Sequence, residues 1–355
     1  MYASWRDEVR KVDSTMAITI KDVAKKAQVA PSTVSRVIAD SPRISEKTKR
    51  KVRKVMEELG YHPNINARSL AVKATQTIGL VMARSTSQSM HNPFFPEVIR
   101  GISAYCRQKE YSISMTTGET AEEIFQDVVK MVQGSRVDGM LVLYSRKDDR
   151  VVQYLKEIDF PFVLIGKPPA ENAGITYVDN NNYRAARELT DYLIGLGHEK
   201  IAYIGGDVKL TVTQERFNGY SEAMRLANFA VSDDYVKYIA FEREEGKRAV
   251  NEIMDLPQPP TALIVADDLV ALGVLSALQE KQIKVPEEVS VVSFNNALIS
   301  ELASPPLTTV DINIFQLGFE AAKCVLELVE QPEMMSKHVI VPTAIVKRET
   351  CRRRD

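Results

Sequence analysis

From Thr77 onward, short apolar runs alternate with amphipathic stretches, and this alternation narrows the possible folds more than any other feature of the chain. TIGLVM (Thr77 to Met82), YSISMTT (Tyr111 to Thr117), DGMLVLY (Asp138 to Tyr144) and FVLIG (Phe162 to Gly166) have the length of buried strands. Between them, Phe95 to Lys109, Ala121 to Gln133 and Asp148 to Ile158 carry helical spacing. Strands buried on both faces and separated by helices make a parallel, doubly wound α/β layer. A second series follows: ITYVD (Ile175 to Asp179), KIAYIGG (Lys200 to Gly206), YVKYIA (Tyr235 to Ala240), TALIVA (Thr261 to Ala266) and VSVVSF (Val289 to Phe294). LTTVDI (Leu307 to Ile312), a helix through Glu330 and a closing pair at Val339 to Val341 and Ala344 to Lys347 complete it. Two series predict two lobes.

The stretch before this body has a different character. TIKDVAKKAQV offers Thr19 as cap, Asp22 in capping-box register and an apolar face of Ile20, Val23, Ala24 and Ala27. Pro31 then stands where a helix begins without losing a hydrogen bond, and Val34, Val37 and Ile38 point inward. Ser32, Thr33, Ser35 and Arg36 are left outside. Two helices this short bury little alone, so a third must cover them. Ser45 to Leu59 supplies it, with Ser45 as cap, Val52, Val55, Met56 and Leu59 as stripe and Gly60 as stop.

Charge singles out the same stretch. Ala17 to Ala74 holds thirteen Lys or Arg against five Asp or Glu, a net of +8. The whole chain is −1 and residues 1 to 16 balance, so residues 75 to 355 carry −9. Polyanion attraction is therefore concentrated at one end. Short hydroxyls and an arginine on the outer face of the second helix suit a helix in a major groove. The plainer alternative is a solvated three-helix unit whose lysines confer only solubility.

Asp22-Val23-Ala24, Ser32 to Ile38 (STVSRVI), Ser45-Glu46-Lys47-Thr48 and Gly60 to Asn64 (GYHPN) together resemble the signature of the lactose-repressor (LacI/GalR) family of bacterial transcription regulators. The resemblance runs from about Thr19 to Thr350. It implies an N-terminal all-α helix-turn-helix domain and an α/β core like that of periplasmic binding proteins, with two doubly wound lobes. The expected divisions are an extension at 1–16, the head at 17–62, a hinge helix or linker at 63–74 and the core at 75–355. The chain is expected to cross between lobes near Ile175, Pro306 and His338, giving lobe 1 about 75–175 and 306–338 and lobe 2 about 176–305 and 339–355.

Carried over by position, Thr19, Thr33, Ser35 and Thr48 resemble phosphate contacts, and Pro31, Ser32, Arg36 and Arg43 take base-facing places. Asn64, Ala67 and Leu70 fall on the hinge, where the family implies a helix that orders on the operator and wedges Leu70 into the minor groove. Three positions depart from the pattern: Pro31 brings no hydrogen-bond donor, Ala30 replaces the usual hydroxyl cap, and Ala39-Asp40 stands where asparagine is common.

Ligands of open α/β lobes sit at the carboxyl ends of the strands. Asn92, Phe94 and Phe95 follow the first strand, an amide with aromatics that suits the hydroxyls and apolar face of a pyranose; the phenylalanines could equally start a helix by packing into the core. Lys167 follows the fourth strand, and Arg216 matches a family arginine that forks to ligand oxygens; a solvated lysine and a surface ion pair are the alternatives. Asp267 matches a ligand position, with Asp268 as the candidate helix cap. Asn295 stands where aspartate is frequent. IGKP (Ile165 to Pro168), VADD (Val265 to Asp268) and SFNN (Ser293 to Asn296) resemble the maltose-type regulators, which implies maltose or a maltodextrin as effector.

The expected function is a sequence-specific DNA-binding regulator, a repressor of carbohydrate-utilisation genes controlled by a sugar. The alternative is a sugar receptor of a transport system that does not bind DNA, for which the basic head has no use. The expected partners are a near-palindromic operator, the sugar and a second copy meeting through the lobe that carries Phe95 to Lys109. Four histidines without metal-ligand spacing, and no GxxxxGK[ST], GxGxxG or GxSxG segment, argue against an enzyme, a metal or another cofactor. Widely spaced Cys106, Cys324 and Cys351, no leader and no run long enough to cross a bilayer point to the cytoplasm and away from membranes.

Overall fold

A computed structural model describes residues 18–61, 74–169 and 174–354. It forms two units, Met1–Gln76 and Thr77–Asp355.

In the first unit, helices α1 (Ile20–Ala27), α2 (Pro31–Ile38) and α3 (Glu46–Leu59) share one small core. Val23, Ala24 and Ala27 of α1 meet Val34 and Val37 of α2 under Val52 and Val55 of α3, so the inward spacing of the sequence is the core itself. Each boundary has a local cause. The Asp22 carboxylate of α1 receives both the backbone N–H and the hydroxyl of Thr19, at 2.8 and 2.7 Å. Pro31 opens α2, and Ser45 accepts the Thr48 N–H at the start of α3. Gly60 ends α3 with φ 63°, where a side chain would be strained.

The second unit holds two six-stranded sheets. The first lobe is built on strands β1 (Thr77–Val81), β2 (Ser112–Met115), β3 (Gly139–Val142), β4 (Phe162–Ile165), β5 (Tyr177–Asn180) and β11 (His338–Val341). Its order is β11-β5-β4-β3-β1-β2, and every pairing in it is parallel. Helices α4 (Thr86–Met90), α5 (Phe94–Gln108), α6 (Ala121–Gln133), α7 (Arg150–Glu157) and α13 (Ile314–Glu330) belong to this lobe. The second lobe has β6 (Ile201–Gly205), β7 (Val236–Tyr238), β8 (Ala262–Val265), β9 (Ser290–Asn295), β10 (Thr308–Asp311) and β12 (Ala344–Val346), in the order β12-β10-β9-β8-β6-β7. Its helices are α8 (Asn182–Gly195), α9 (Thr211–Leu226), α10 (Arg243–Met254), α11 (Asp268–Glu280) and α12 (Leu298–Leu302).

Alternate residues of each strand serve opposite helix layers. Leu141, Val163 and Ile165 pack under α5 and α13, whereas Met140, Val142 and Leu164 pack under α6 and α7. This double burial explains why the strands read as unbroken apolar runs.

The lobe boundaries differ from expectation by one strand each time. β5 pairs with β4 and so belongs to the first sheet; the chain leaves the first lobe after Asn180, not near Ile175. β10 pairs with β9 in the second sheet, which moves the second crossing from Pro306 to 312–313. The expected closing pair is divided: β11 lies parallel to β5, β12 lies antiparallel to β10, and the third crossing is at 342–343 rather than at His338. An apolar run announces burial between two helix layers, but nothing in the run says which sheet receives it.

Among the described residues no helix is long and apolar enough to cross a membrane, and no cluster of metal-ligating side chains occurs. The expected extension at 1–16 and the hinge positions Asn64, Ala67 and Leu70 lie outside the described residues.

Candidate functional site

The outer face of the head follows from its packing. With Val34 and Val37 fixed inward, Pro31, Ser32, Ser35 and Arg36 are exposed on α2 and Thr33 is half-buried. Ala30 caps α2 without a side-chain bond, and Pro31 has no N–H. Thr33 and Val34 both donate to the Ala30 carbonyl, leaving the Ser32 N–H without a protein partner among the described residues. A helix N-terminus with an unfilled donor, flanked by hydroxyls, is suited to an anionic oxygen.

Thr19 is exposed at the start of α1, and the half-buried Thr48 hydroxyl meets the Ser45 hydroxyl at 2.9 Å. Arg43 is exposed in the α2–α3 turn. That turn is held by Asp40, whose carboxylate pairs with Lys49 at 3.1 Å and Arg53 at 2.5 Å. The two cations hold the Asp40 carboxyl below its ordinary range. Lys49 is itself buried and also pairs with Glu46. Among the described residues no ion pair engages Arg36 or Arg43, so both guanidiniums remain for a polyanion.

In the body a cavity of about 200 Å³ lies between the lobes at the carboxyl ends of their strands. Asn92, Phe94, Phe95, Arg216, Asp267 and Asn295 all line it. Phe94 and Phe95 meet edge to face at 5.3 Å, and both open α5 while reaching the cavity, so the two alternatives for them hold together.

Arg216 is buried on α9 and lies 4.0 Å above the Phe294 ring. Its Nε donates to Asn182 Oδ1 at 3.0 Å and its Nη1 to the Ala266 carbonyl at 2.9 Å. Burial lowers its pKa, while Asp179, Asp267 and Asp268 oppose that shift. The arginine is therefore a buried cation in a carboxylate setting rather than half of a surface pair.

Asp267, not Asp268, caps α11: its Oδ1 accepts the Val270 N–H at 2.8 Å and its Oδ2 accepts Asn92 Nδ2 at 2.6 Å. Burial raises its pKa. Asp268 is turned inward instead. It accepts the Ser293 hydroxyl, the Thr309 hydroxyl at 2.8 Å and the Ala297 N–H at 2.7 Å, and burial pushes it up to about 7. These bonds hold the loop that presents Asn295, whose φ of 110° is outside the region side-chain-bearing residues favour. Asn296 anchors the same loop to Asp311 and Arg348.

Lys167 departs from expectation. Its side chain is not part of the cavity wall; its ammonium pairs with Glu215 of α9 at 3.0 Å and is half exposed. What Lys167 contributes is main chain, with its N–H on Asp179 Oδ2 at 2.9 Å and its carbonyl on the Ser145 hydroxyl at 2.8 Å. The reversal at Gly166, φ 116°, brings the backbone to the crevice, and the long side chain finds a carboxylate on the facing lobe.

Several wall residues went unnoticed in the sequence. Asp179 is buried, accepts from Asn182 and Lys167, and is pushed up to about 6 by burial. Asn180, Asn182, Arg84, Arg146, Phe241 and Glu242 also line the cavity. The sequence does carry a signal for Asp179, Asn180 and Asn182: DNNN (Asp179 to Asn182) ends an apolar run, the place where ligand residues gather. Arg84 and Glu242 gave none, because they meet across the cleft from segments far apart in the chain, at 2.9 Å.

Comparison with known proteins follows this architecture. The profile of "Bacterial regulatory proteins, lacI family" matches residues 19–64, and that of a periplasmic binding protein-like domain matches residues 190–351. The transcriptional regulator MalR of Streptococcus pneumoniae is 38% identical over 318 residues, 88% of this chain and 93% of the relative. The crystal structure of a transcriptional regulator LacI from Bacillus cereus subsp. cytotoxis superposes with TM-score 0.78 at 55% identity, covering 79% of this chain and 99% of that one. A CelR–cellobiose complex superposes with TM-score 0.74 at 30% identity, covering 94% of this chain and 99% of that one.

Proposed function

The chain belongs to the lacI family of bacterial regulatory proteins and is a DNA-binding transcriptional regulator, and from that premise we propose that it is a cytoplasmic repressor of carbohydrate-utilisation genes whose DNA affinity is set by a neutral sugar in the interlobe cavity. The observation that carries this reading is the lining of one cavity: the Phe94–Phe95 pair shares it with a buried polar set of Arg216, Asp267 and Asn295. An apolar ring face beside donors and acceptors is what a pyranose presents in reverse.

Charge favours an uncharged ligand over a phosphorylated one. Each arginine of the wall already has a carboxylate near it: Arg84 pairs with Glu242, Arg146 with Asp149, and Arg216 lies among Asp179, Asp267 and Asp268. Drawing the buried Arg216 from its carboxylates to a phosphate would cost several kcal/mol, and Arg84 and Arg146, which are partly exposed, are already neutralised by Glu242 and Asp149. The cellobiose held by CelR supports a disaccharide, and the resemblance of IGKP, VADD and SFNN to maltose-type regulators puts maltose or a maltodextrin first among the candidates.

In this reading a homodimer places two α2 helices in successive major grooves of a near-palindromic operator, and Leu70 wedges the minor groove between them. The lac repressor, 24% identical, is seen as a dimer on its operator. Sugar changes the angle between lobes, and differential affinity for the two arrangements moves the DNA equilibrium.

Calorimetry with maltose, maltotriose, cellobiose and maltose 6-phosphate tests the ligand, and retention of promoter DNA with and without each sugar tests the response. Saturable binding of a neutral disaccharide that changes DNA retention is the expected result. Binding of the phosphorylated sugar alone would overturn the choice of ligand, and no DNA retention at moderate salt would overturn the regulator.

A further inference from the structure

We infer that Asn180 is a positioning residue that binds the three chain crossings between the lobes into a single hinge, and so couples ligand in the cleft to DNA affinity. It rests on the ligand-responsive reading above but has a ligand-free test of its own.

Asn180 is the last residue of β5, directly before the first crossing, and is 4% exposed. One side-chain nitrogen serves both other crossings: Nδ2 donates to the Ile312 carbonyl at 3.0 Å and to the Val341 carbonyl at 2.9 Å. Ile312 lies in the second crossing and Val341 ends the strand before the third. The remaining side of the triangle is closed by Asn313, whose Nδ2 donates to the Pro342 carbonyl at 2.9 Å. The three crossings are thus tied pairwise by two side chains.

The chemistry requires an amide. A carboxamide nitrogen carries two hydrogens, one for each carbonyl. An aspartate of the same shape would set an oxygen against two carbonyl oxygens, and alanine would leave both carbonyls buried without that donor. Separate linkers could slide past one another; a tied set lets the lobes rotate together about one pivot.

The pivot is continuous with the cavity. Asn182 accepts Arg216 Nε through Oδ1 and donates to Asp179 Oδ1 at 2.9 Å. Asp179, Asn180 and Asn182 lie in one short segment, so a ligand that engages Arg216 acts on the residues that flank the clamp.

The test uses the full-length protein as Asn180→Asp and Asn180→Ser, serine keeping one donor. In hydrogen–deuterium exchange without any ligand, residues 312–317 and 341–346 are expected to exchange at least tenfold faster in Asn180→Asp, with β3 and β9 unchanged and Asn180→Ser intermediate. Uniform acceleration through the body together with a lowered melting temperature, or no acceleration at the second and third crossings, overturns the clamp. The second readout is the ratio of promoter-DNA dissociation constants with and without saturating maltose. It is expected to fall at least threefold toward one in Asn180→Asp when each protein is measured at the maltose concentration that calorimetry shows to saturate it, since Asn180 also lines the cavity. An unchanged ratio overturns the transmitting role. A wild type that does not respond to maltose refutes the choice of sugar, and the exchange experiment still decides the clamp.

Discussion

Asn92, behind the first strand of one lobe, donates through Nδ2 to Asp267 Oδ2 at the helix cap of the other lobe, 2.6 Å away. Both groups are buried, and the bond spans the cleft between residues separated by 175 positions. It gives a buried carboxylate a partner on the facing lobe. A hydrogen bond to a charged group contributes about 1.5–3 kcal/mol. Asn92→Ala is therefore expected to weaken maltose binding at least tenfold by calorimetry. Asn92→Asp should be worse, since it sets two carboxylates together, and its deficit should shrink as pH falls and one of them takes a proton. Equal affinity for the two variants at neutral pH would mean that the Asp267 charge does not matter to the cleft.

Lys167 gives the opposite prediction. Its ammonium is committed to Glu215 at the rim, and an exposed pair of this kind contributes roughly 0–1 kcal/mol. Lys167→Ala should leave maltose affinity within about threefold and lower the melting temperature by no more than a few degrees. The functional part of this residue is its backbone, whose N–H holds Asp179. Lys167→Pro, which removes that N–H, should abolish ligand binding where the alanine does not; if both retain it, the main-chain contact is dispensable.

The architecture was legible because it is written in local patterns. Apolar runs, caps and stops place α1, α2, α3 and most strands within a residue or two of their observed ends, strand ends point to Asn92 and Asp267, and the family resemblance adds Arg216, which lies on α9, and Asn295. Lobe membership was not legible, since β5 carries the same apolar signature whichever sheet it enters. The capping role of Asp267, which it holds in addition to its place in the cavity wall, is not legible for a similar reason: either of two adjacent aspartates can cap α11, and Ser293 and Thr309, which draw Asp268 inward, come from strands distant in sequence. Pairs made across the cleft between distant segments, such as Arg84 with Glu242, leave no mark in the chain.

Asp268 makes the body's stability depend on pH with an unusual sign. Its carboxyl is pushed up to about 7 by burial from the ordinary 3.8, so between these values the folded protein holds a proton that the unfolded chain releases. Stability then falls as pH rises through that window and levels off above it, by on the order of 4 kcal/mol in the limit of full burial. His198, whose pKa burial lowers, works the other way below about pH 6.5. The informative quantity is thus the difference between wild type and Asp268→Asn in denaturant titrations from pH 4.5 to 8.5. The wild type should lose ground to the variant up to about pH 7 and hold steady beyond; a constant difference would show that Asp268 does not titrate in this window.

In the head, Asp40 holds Arg53 and Lys49 on the turn that leads to Arg43, with its backbone at φ 49°. Asparagine tolerates that conformation, so Asp40→Asn removes the charge while keeping the turn. The head then goes from +8 to +9 and Arg53, which is exposed, is free to meet a phosphate. Each additional phosphate neutralised steepens the dependence of log affinity on log salt by roughly 0.9. Fluorescence anisotropy with a duplex of arbitrary sequence, titrated with salt between about 50 and 200 mM, should show a slope steeper by about that amount and tighter binding at the low-salt end. A slope identical to that of the wild type would mean that Arg53 stays off the DNA even when released, and that Asp40 serves only the fold of the turn.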